Sequence, residues 1–162
     1  MRKPCTTLAI IACVVSAAAV WAHAQHPTTQ PAQTTAAVRF AAVNVYVDSA
    51  DKPLAAYQFE LTAASGSFKI VGVEGGEHAA FTPPPYYDPA ALSRDRIIIA
   101  AFNTGRDLPK GNTRVARIHV QISGNEDPQY VVKLTVAASM DGEKIAATAS
   151  WSKAVAPNAA KQ

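Results

Sequence analysis

Two adjacent tyrosines that follow a run of prolines are the residues best suited to recognition chemistry in this chain. Tyr86 and Tyr87 come directly after three consecutive prolines, Pro83 to Pro85. Prolines hold the backbone extended, so the two rings are presented at a low entropic cost. Exposed aromatic rings of this kind stack on sugar faces or anchor a partner protein. In the alternative interpretation, Phe81 and one of the tyrosines cover an end of the fold and are buried.

Patterns of catalytic and metal-binding residues are scarce. The chain contains no Gly-x-Ser-x-Gly elbow, no His-Glu-x-x-His pair, no phosphate-binding glycine loop and no EF-hand loop. Pairs of acidic residues occur near the predicted turns: Asp48 with Asp51, Glu74 with Glu77, and Glu126 with Asp127. Calcium requires six or more oxygen ligands from a shaped loop, so solvated turn acids are the favoured interpretation. The sequence predicts no enzyme, no metal site and no cofactor, with calcium as the one ion left open.

Two further polar pairs lie on the outward faces of predicted strands, where a partner can reach them. Gln58 and Glu60 alternate with the apolar residues of one strand, and Arg117 and His119 alternate with those of another. A histidine on a strand face is most simply a solvated residue unless chemical partners surround it. These four residues and the two tyrosines are therefore candidates for binding a ligand or partner, with no catalytic role.

The elements that position these candidates are predicted to be strands. In Leu54–Thr62, apolar residues recur at every second position, which is typical of a strand with one buried face. Val43–Val47 and Asn112–Ser123 alternate in the same way, and Phe68–Val73 is a further short strand. Arg96–Phe102 carries an unbroken apolar run, which predicts a central strand buried on both faces.

Inward-facing residues follow from the alternation within each strand. The two sets predicted to face the core are Ala55, Tyr57, Phe59 and Leu61, and Ala116, Ile118, Val120 and Ile122. No helix of useful length is indicated in the same region. Short strands at regular spacing, separated by turn residues, predict an all-β sandwich of jelly-roll or immunoglobulin-like type with about seven to nine strands.

The last two strands are predicted to form a hairpin. Tyr130–Met140 and Glu143–Trp151 flank Asp141-Gly142, a preferred two-residue hairpin turn. With Met140 opposite Glu143, the apolar residues of both strands fall on one face. This register places Val136 opposite Ala147, Leu134 opposite Ala149 and Val132 opposite Trp151. It predicts that Leu134 and Val136 are buried.

The N-terminal region has the pattern of a signal peptide. Arg2 and Lys3 precede an apolar run from Leu8 to Val20, and Ala22-His23-Ala24 supplies small residues for a signal peptidase. We expect cleavage after Ala24 and a secreted, periplasmic or cell-surface protein. This run of 13 residues is short for a hydrocarbon core about 30 Å thick, so no membrane span is expected after cleavage. An alternative interpretation is a lipid anchor at Cys13.

The predicted organisation is a signal peptide (1–24), a disordered linker (25–36), a sandwich domain (37–152) and a flexible tail (153–162). The linker is rich in Pro, Gln and Thr and has no large apolar residue. Cleavage removes both cysteines, Cys5 and Cys13, so the domain depends on its core rather than on disulfides. It also removes 2 of the 15 basic residues, leaving 13 against 12 acidic ones. These charges are scattered singly, which argues against a nucleic-acid partner.

The pattern of strands resembles that of cohesin domains. The segments that carry the resemblance are Val43–Thr62, with Tyr57-Gln58-Phe59-Glu60-Leu61 at its centre, then Phe68–Gly76, and later Ile97–Phe102 with Gly111–Val120. The resemblance covers most of residues 37–151. It implies a jelly-roll sandwich related to the carbohydrate-binding modules of cellulase systems.

The resemblance also implies a function. Cohesins are non-catalytic modules that bind dockerins, so we expect a secreted module that attaches to an extracellular protein of dockerin-like type. The alternative is a polysaccharide-binding module that uses Tyr86 and Tyr87. An enzyme ranks below both, because the sequence shows no nucleophile–base pair and no set of metal ligands.

Overall fold

A computed structural model describes residues 37–154 of the chain. The predicted signal peptide (1–24) with Cys13, the linker (25–36) and all but the first two residues of the tail (153–162) lie outside the described residues. Lys153, which was assigned to the tail, belongs to the last strand. No helix between residues 37 and 154 is long and apolar enough to cross a membrane.

The described chain forms eight strands in two four-stranded sheets, and every strand pair is antiparallel. The strands are β1 Val38–Asp48, β2 Ala56–Ser65, β3 Phe68–Gly75, β4 Tyr86–Tyr87, β5 Ile97–Phe102, β6 Asn112–Ser123, β7 Gln129–Ala138 and β8 Thr148–Lys153. Sheet I has the order β3-β6-β1-β8 and sheet II the order β4-β5-β2-β7. The predicted all-β sandwich is confirmed, and the strand that the sequence did not indicate is β4.

The core lies between the two sheets and follows the predicted alternation. Tyr57, Phe59 and Leu61 of β2 are buried, and so are the four predicted inward residues of β6. Side chains at every second position of a strand share one face, so each sheet contributes one apolar face to a common core. No cysteine lies within the sandwich, and burial of this apolar surface is the main source of its stability.

Strand β5 corrects one prediction about burial. Ile97 and Ile99 are buried, but Ile98 is 43% exposed and Phe102 is 64% exposed. The prediction that this strand is covered on both faces is therefore wrong. Only one face of sheet II packs on the core, and its other face meets solvent. An unbroken apolar run occurs both in strands that are covered on one face and in strands that are covered on both, so the sequence alone does not distinguish the two cases.

The predicted hairpin between the last two strands is also wrong in most of its length. Strand β7 pairs with β2 in sheet II, whereas β8 pairs with β1 in sheet I. The turn itself forms, with Gly142 at a φ of +79°. Ser139 pairs with Glu143, so the loop between them has three residues rather than the predicted two. The register is shifted by one residue from the prediction, because Ala138 is opposite Lys144 instead of Ile145.

After these few pairs the chain crosses from sheet II to sheet I. The crossing changes the predicted burial of β7. Leu134 is half-buried and Val136 is exposed, so the prediction that both are buried is wrong for Val136 and only partly right for Leu134. A bulge at Thr135, opposite Gln58 and Phe59 of β2, is the local cause, because it shifts the alternation by one residue.

The proline-rich segment is held against the end of β3 by two glycines. Gly76 N–H donates to the Phe81 carbonyl at 2.7 Å. A Cβ atom on Gly75 would lie 2.1 Å from the Thr82 carbonyl oxygen, so a larger residue does not fit there. This close approach anchors the loop that leads through Pro85 to Tyr86.

Two neighbouring isoleucines of β5 provide a matched test of the core. We expect Ile99→Ala to lower the free energy of unfolding by about 2–5 kcal/mol, since it empties a fully buried site. Ile98→Ala, on the exposed face of the same strand, should cost less than about 1 kcal/mol. Urea unfolding followed by circular dichroism measures both, and equal losses would contradict the assigned faces.

Candidate functional site

The strand residues predicted to bind a partner lie on opposite sides of the sandwich. Gln58 and Glu60 are on the outer face of sheet II, whereas Arg117 and His119 are on the outer face of sheet I. The core separates the two faces, so these four side chains do not form one site. Each pair belongs to a different surface with its own neighbours.

The two tyrosines are also divided between two faces. They form the short strand β4, in which Tyr86 pairs with Ala100 and Tyr87 with Ile99. Successive residues of a strand point to opposite faces. Tyr86 therefore projects outward and is 70% exposed, while Tyr87 is half-buried and packs against the core. Phe81 is buried. The alternative interpretation, in which Phe81 and one tyrosine cover an end of the fold, therefore describes Phe81 and Tyr87.

Phe102, which the sequence analysis did not single out, is the ring next to Tyr86. The two ring centroids are 6.1 Å apart and the planes differ by 9°. Tyr86 is opposite Ala100, and Phe102 is two residues further along the same strand, so the two rings are diagonal cross-strand neighbours. The period-two spacing of Ile98, Ala100 and Phe102 is a signal in the sequence that could have identified Phe102.

The outer face of sheet II carries most of the exposed apolar side chains. Of the nine large apolar residues that are exposed in the described chain, five lie on this face: Tyr86, Ile98, Phe102, Val131 and Val136. A row of cross-strand neighbours runs from Tyr86 through Ala100 and Gln58 to Val136.

Charged side chains lie between the apolar residues of β5 and those of β7, because Glu60 of β2 is opposite both Ile98 and Lys133. Glu60 lies between Arg96, with which it forms an ion pair, and Lys133 on the neighbouring strand. The hydrogen bond from Arg96 is the main reason that the pKa of Glu60 lies below its ordinary value. Gln58 is also engaged, since its Nε2 donates to the Thr135 hydroxyl at 3.1 Å. The polar candidates on sheet II are thus held in place by their neighbours.

The outer face of sheet I has a different character, since its charged side chains bond to one another. Glu74 accepts a hydrogen bond of 2.8 Å from His119 Nε2 and lies 3.7 Å from Arg117 Nη1. Arg117 Nε also donates to the Asn44 side-chain oxygen at 3.0 Å. The hydrogen bond with His119 is the largest cause of the lowered pKa of Glu74. The side chains of Asn44, Glu74, Arg117 and His119 thus already have partners within the protein.

The arrangement suits binding to a surface more than chemistry at a pocket. Between residues 37 and 154, no three His, Cys, Asp or Glu side chains come close enough together to hold a metal ion. One groove, of about 240 Å³, is lined by the proline loop, Tyr86 and Phe102. A second, of about 600 Å³, is lined by residues between Asp88 and Ile98 and does not include Tyr86.

Comparisons with models of protein families, with curated proteins and with solved structures find no match to this chain. The cohesin resemblance therefore stays a prediction that rests on the residues that carry it.

The Glu74 cluster generates a prediction about acid stability. A carboxylate whose pKa is lowered on folding stabilises the folded state above the pKa that it has when unfolded, about 4.3 for Glu. That stabilisation is lost as the pH falls through the lower pKa of the folded state. We expect Glu74→Gln to lower the urea midpoint at pH 7, with a difference from the wild type that shrinks below about pH 4.

Glu126→Gln is the matched control, because the Glu126 side chain forms no ion pair with any described residue. It should leave the urea midpoint unchanged over the same pH range. A Glu74→Gln variant with wild-type stability at pH 7 would show that the cluster adds nothing to folding.

Proposed function

We propose that this protein is a secreted, non-catalytic binding module of cohesin type that attaches to another protein through the outer face of sheet II. The observation that carries the proposal is the concentration of five exposed apolar residues on that one face. Three of them, Tyr86, Ile98 and Phe102, are neighbours on β4 and β5, and an exposed apolar patch of this kind is characteristic of interaction sites. A flat sheet face of this kind suits a protein surface better than a small molecule, which prefers a concave pocket.

Tyr86 and Phe102 are the proposed anchors of the interface. Large aromatic side chains supply most of the binding energy in protein interfaces, and they are most effective when they are held rigid before binding. Tyr86 meets this condition because β4 is hydrogen-bonded to β5 and is preceded by the buried Pro85. Its parallel packing on Phe102 restricts both rings further.

The proposed setting is extracellular and rests on the N-terminal sequence. A signal peptide cleaved after Ala24 exports the chain, and the Pro/Gln/Thr-rich segment 25–36 separates the sandwich from its own N-terminus. The partner is then an extracellular or cell-surface polypeptide of dockerin-like type. The net charge of the exported chain is close to zero, so affinity is expected to come from packing and hydrogen bonds.

Binding to a polysaccharide is the second candidate. Tyr86 and Phe102 present two exposed and nearly parallel rings, and flat aromatic surfaces of this type stack on sugar rings. In this candidate Phe102 takes the role first assigned to Tyr87, which is half-buried on the other side of β4.

The double variant Tyr86→Ala and Phe102→Ala tests the proposed face. Both side chains are mainly exposed, so we expect the urea midpoint to change little, whereas binding should fall at least about 30-fold if the rings are the anchors. The measurement is retention of proteins from the medium of the source cells on the immobilised chain, in parallel with a panel of insoluble polysaccharides. Proteins that the wild type retains are then titrated individually.

Phe40→Ala is the matched control, since Phe40 is an aromatic residue 71% exposed on sheet I. It should bind the same proteins as the wild type. If Phe40→Ala loses the binding and the double variant keeps it, the interface lies on the other sheet. Retention on a polysaccharide alone would favour the second candidate, and release of soluble sugar would overturn the non-catalytic function.

A further inference from the structure

Strand β7 has one edge that no strand of the described chain occupies. It lies at the end of sheet II and pairs only with β2. The strand expected beside it, β8, belongs to sheet I. The backbone N–H and C=O groups on the second edge are therefore open to pairing with another chain.

The open part of this edge has a defined length. At one end, Ile145 N–H donates to the Ala137 carbonyl, and the chain covers the edge there. The bulge at Thr135 interrupts the regular ladder just before that point. At the other end, Lys153 and Arg39 both pair with Asp127, which precedes β7. The six residues from Gln129 to Leu134 remain, and they span about 20 Å.

An incompletely covered apolar seam runs along the same edge. Val132 and Leu134 of β7 are only half-buried, and so are Ala147 and Trp151 on the side of sheet I. These residues pack on the core but leave part of their surface to solvent. An added strand beside β7 would place alternate side chains over this seam, while its backbone would satisfy the open hydrogen-bonding groups.

Lys133 distinguishes between the strands that could take this place. It lies near the middle of the open edge, on the outer face, and pairing with a second copy of β7 would bring two Lys133 side chains close together. Such a lysine is a common device against pairing of identical edges. An acidic residue on a different strand would instead be attracted to Lys133. Lys133 is opposite Glu60 of β2 and adds to the effect of Arg96 in lowering the pKa of Glu60, but it forms no ion pair with any described residue.

Residues 25–36 and 155–162, which flank the sandwich, do not have the required pattern. Residues 25–36 contain no large apolar residue, and residues 155–162 contain only Val155. We propose that the edge of β7 from Gln129 to Leu134 binds an extended segment of a partner protein by strand addition. That segment has apolar residues at alternate positions and an acidic residue beside Lys133. Val131 and Lys133 of this edge share the outer face of sheet II. The proposal uses the backbone of β7 and not the rings of Tyr86 and Phe102, so it does not depend on the proposed function.

The test uses a capped, fluorescein-labelled heptapeptide with the sequence Val-Thr-Val-Glu-Val-Thr-Val and the same peptide with Lys in place of Glu. Fluorescence anisotropy measures binding to the purified chain. We expect the Glu peptide to bind at least about fivefold more tightly, and Lys133→Glu to reverse this order. Lys69→Glu, on the edge strand β3 of sheet I, is the matched control and should leave the order unchanged.

Two N-methylated versions of the Glu peptide test the backbone pairing. One carries methyl groups on the odd-numbered residues and the other on the even-numbered residues. In a strand, alternate N–H groups point to opposite edges, so only one of the two versions should lose binding. Hydrogen exchange should show slower exchange between Gln129 and Leu134 when the peptide binds.

The proposal is overturned if both methylated peptides bind equally, or if Lys69→Glu changes the preference and Lys133→Glu does not. It is also overturned if the chain alone forms dimers that protect residues 129–134, since the occupant would then be a second copy. The Tyr86→Ala and Phe102→Ala changes do not alter the edge of β7, so the peptide test can be run on the double variant as well. Binding through the two rings and strand addition at β7 can therefore fail separately.

Discussion

A buried hydroxyl group joins the two sheets and supports the loop that presents Tyr86. Tyr57 of β2 crosses the core and donates a hydrogen bond of 2.9 Å to the Val115 carbonyl of β6. Burial raises the pKa of the Tyr57 hydroxyl, which keeps it in the protonated form that donates. The ring also meets Phe81 edge-on, with 5.0 Å between centroids. Because Phe81 begins the proline loop, the position of Tyr86 depends on a contact formed deep in the core.

The periodicity of the sequence is sufficient to locate the strands, but it does not show which strands pair with each other. Alternation in β2 and β6 correctly identified the inward residues, because a sandwich strand buries every second side chain. It could not reveal that β7 and β8 belong to different sheets. Asp141-Gly142 specifies a local turn, whereas the pairing of β8 depends on β1, which is about 100 residues earlier in the chain. Interactions that distant leave no local signature.

The same limit explains which parts of the candidate site could be predicted. Tyr86 was recognisable from the prolines before it, since their effect on the backbone is local. Its neighbour Phe102 depends on the register between β4 and β5, and the unbroken run of apolar residues in β5 suggested burial instead. Gln58 and Arg117 both alternate with core residues, but alternation shows only that a side chain points outward. Which of the two outer faces it occupies is decided by the topology.

The balance between desolvation and apolar burial favours sheet II over sheet I as the binding face. Covering apolar surface contributes about 25 cal/mol per Å², and the rings of Tyr86 and Phe102 with Ile98 offer such surface without an ion at its centre. Covering sheet I would take Glu74, Arg117 and His119 out of water, and the effective penalty is several kcal/mol per buried ion. Those groups already bond to one another, so a partner could offer them little in return. On sheet II the ion pair of Glu60 and Arg96 lies beside Ile98, on the side away from Tyr86 and Phe102, where it can stay hydrated at the border of an interface centred on the two rings and add to specificity.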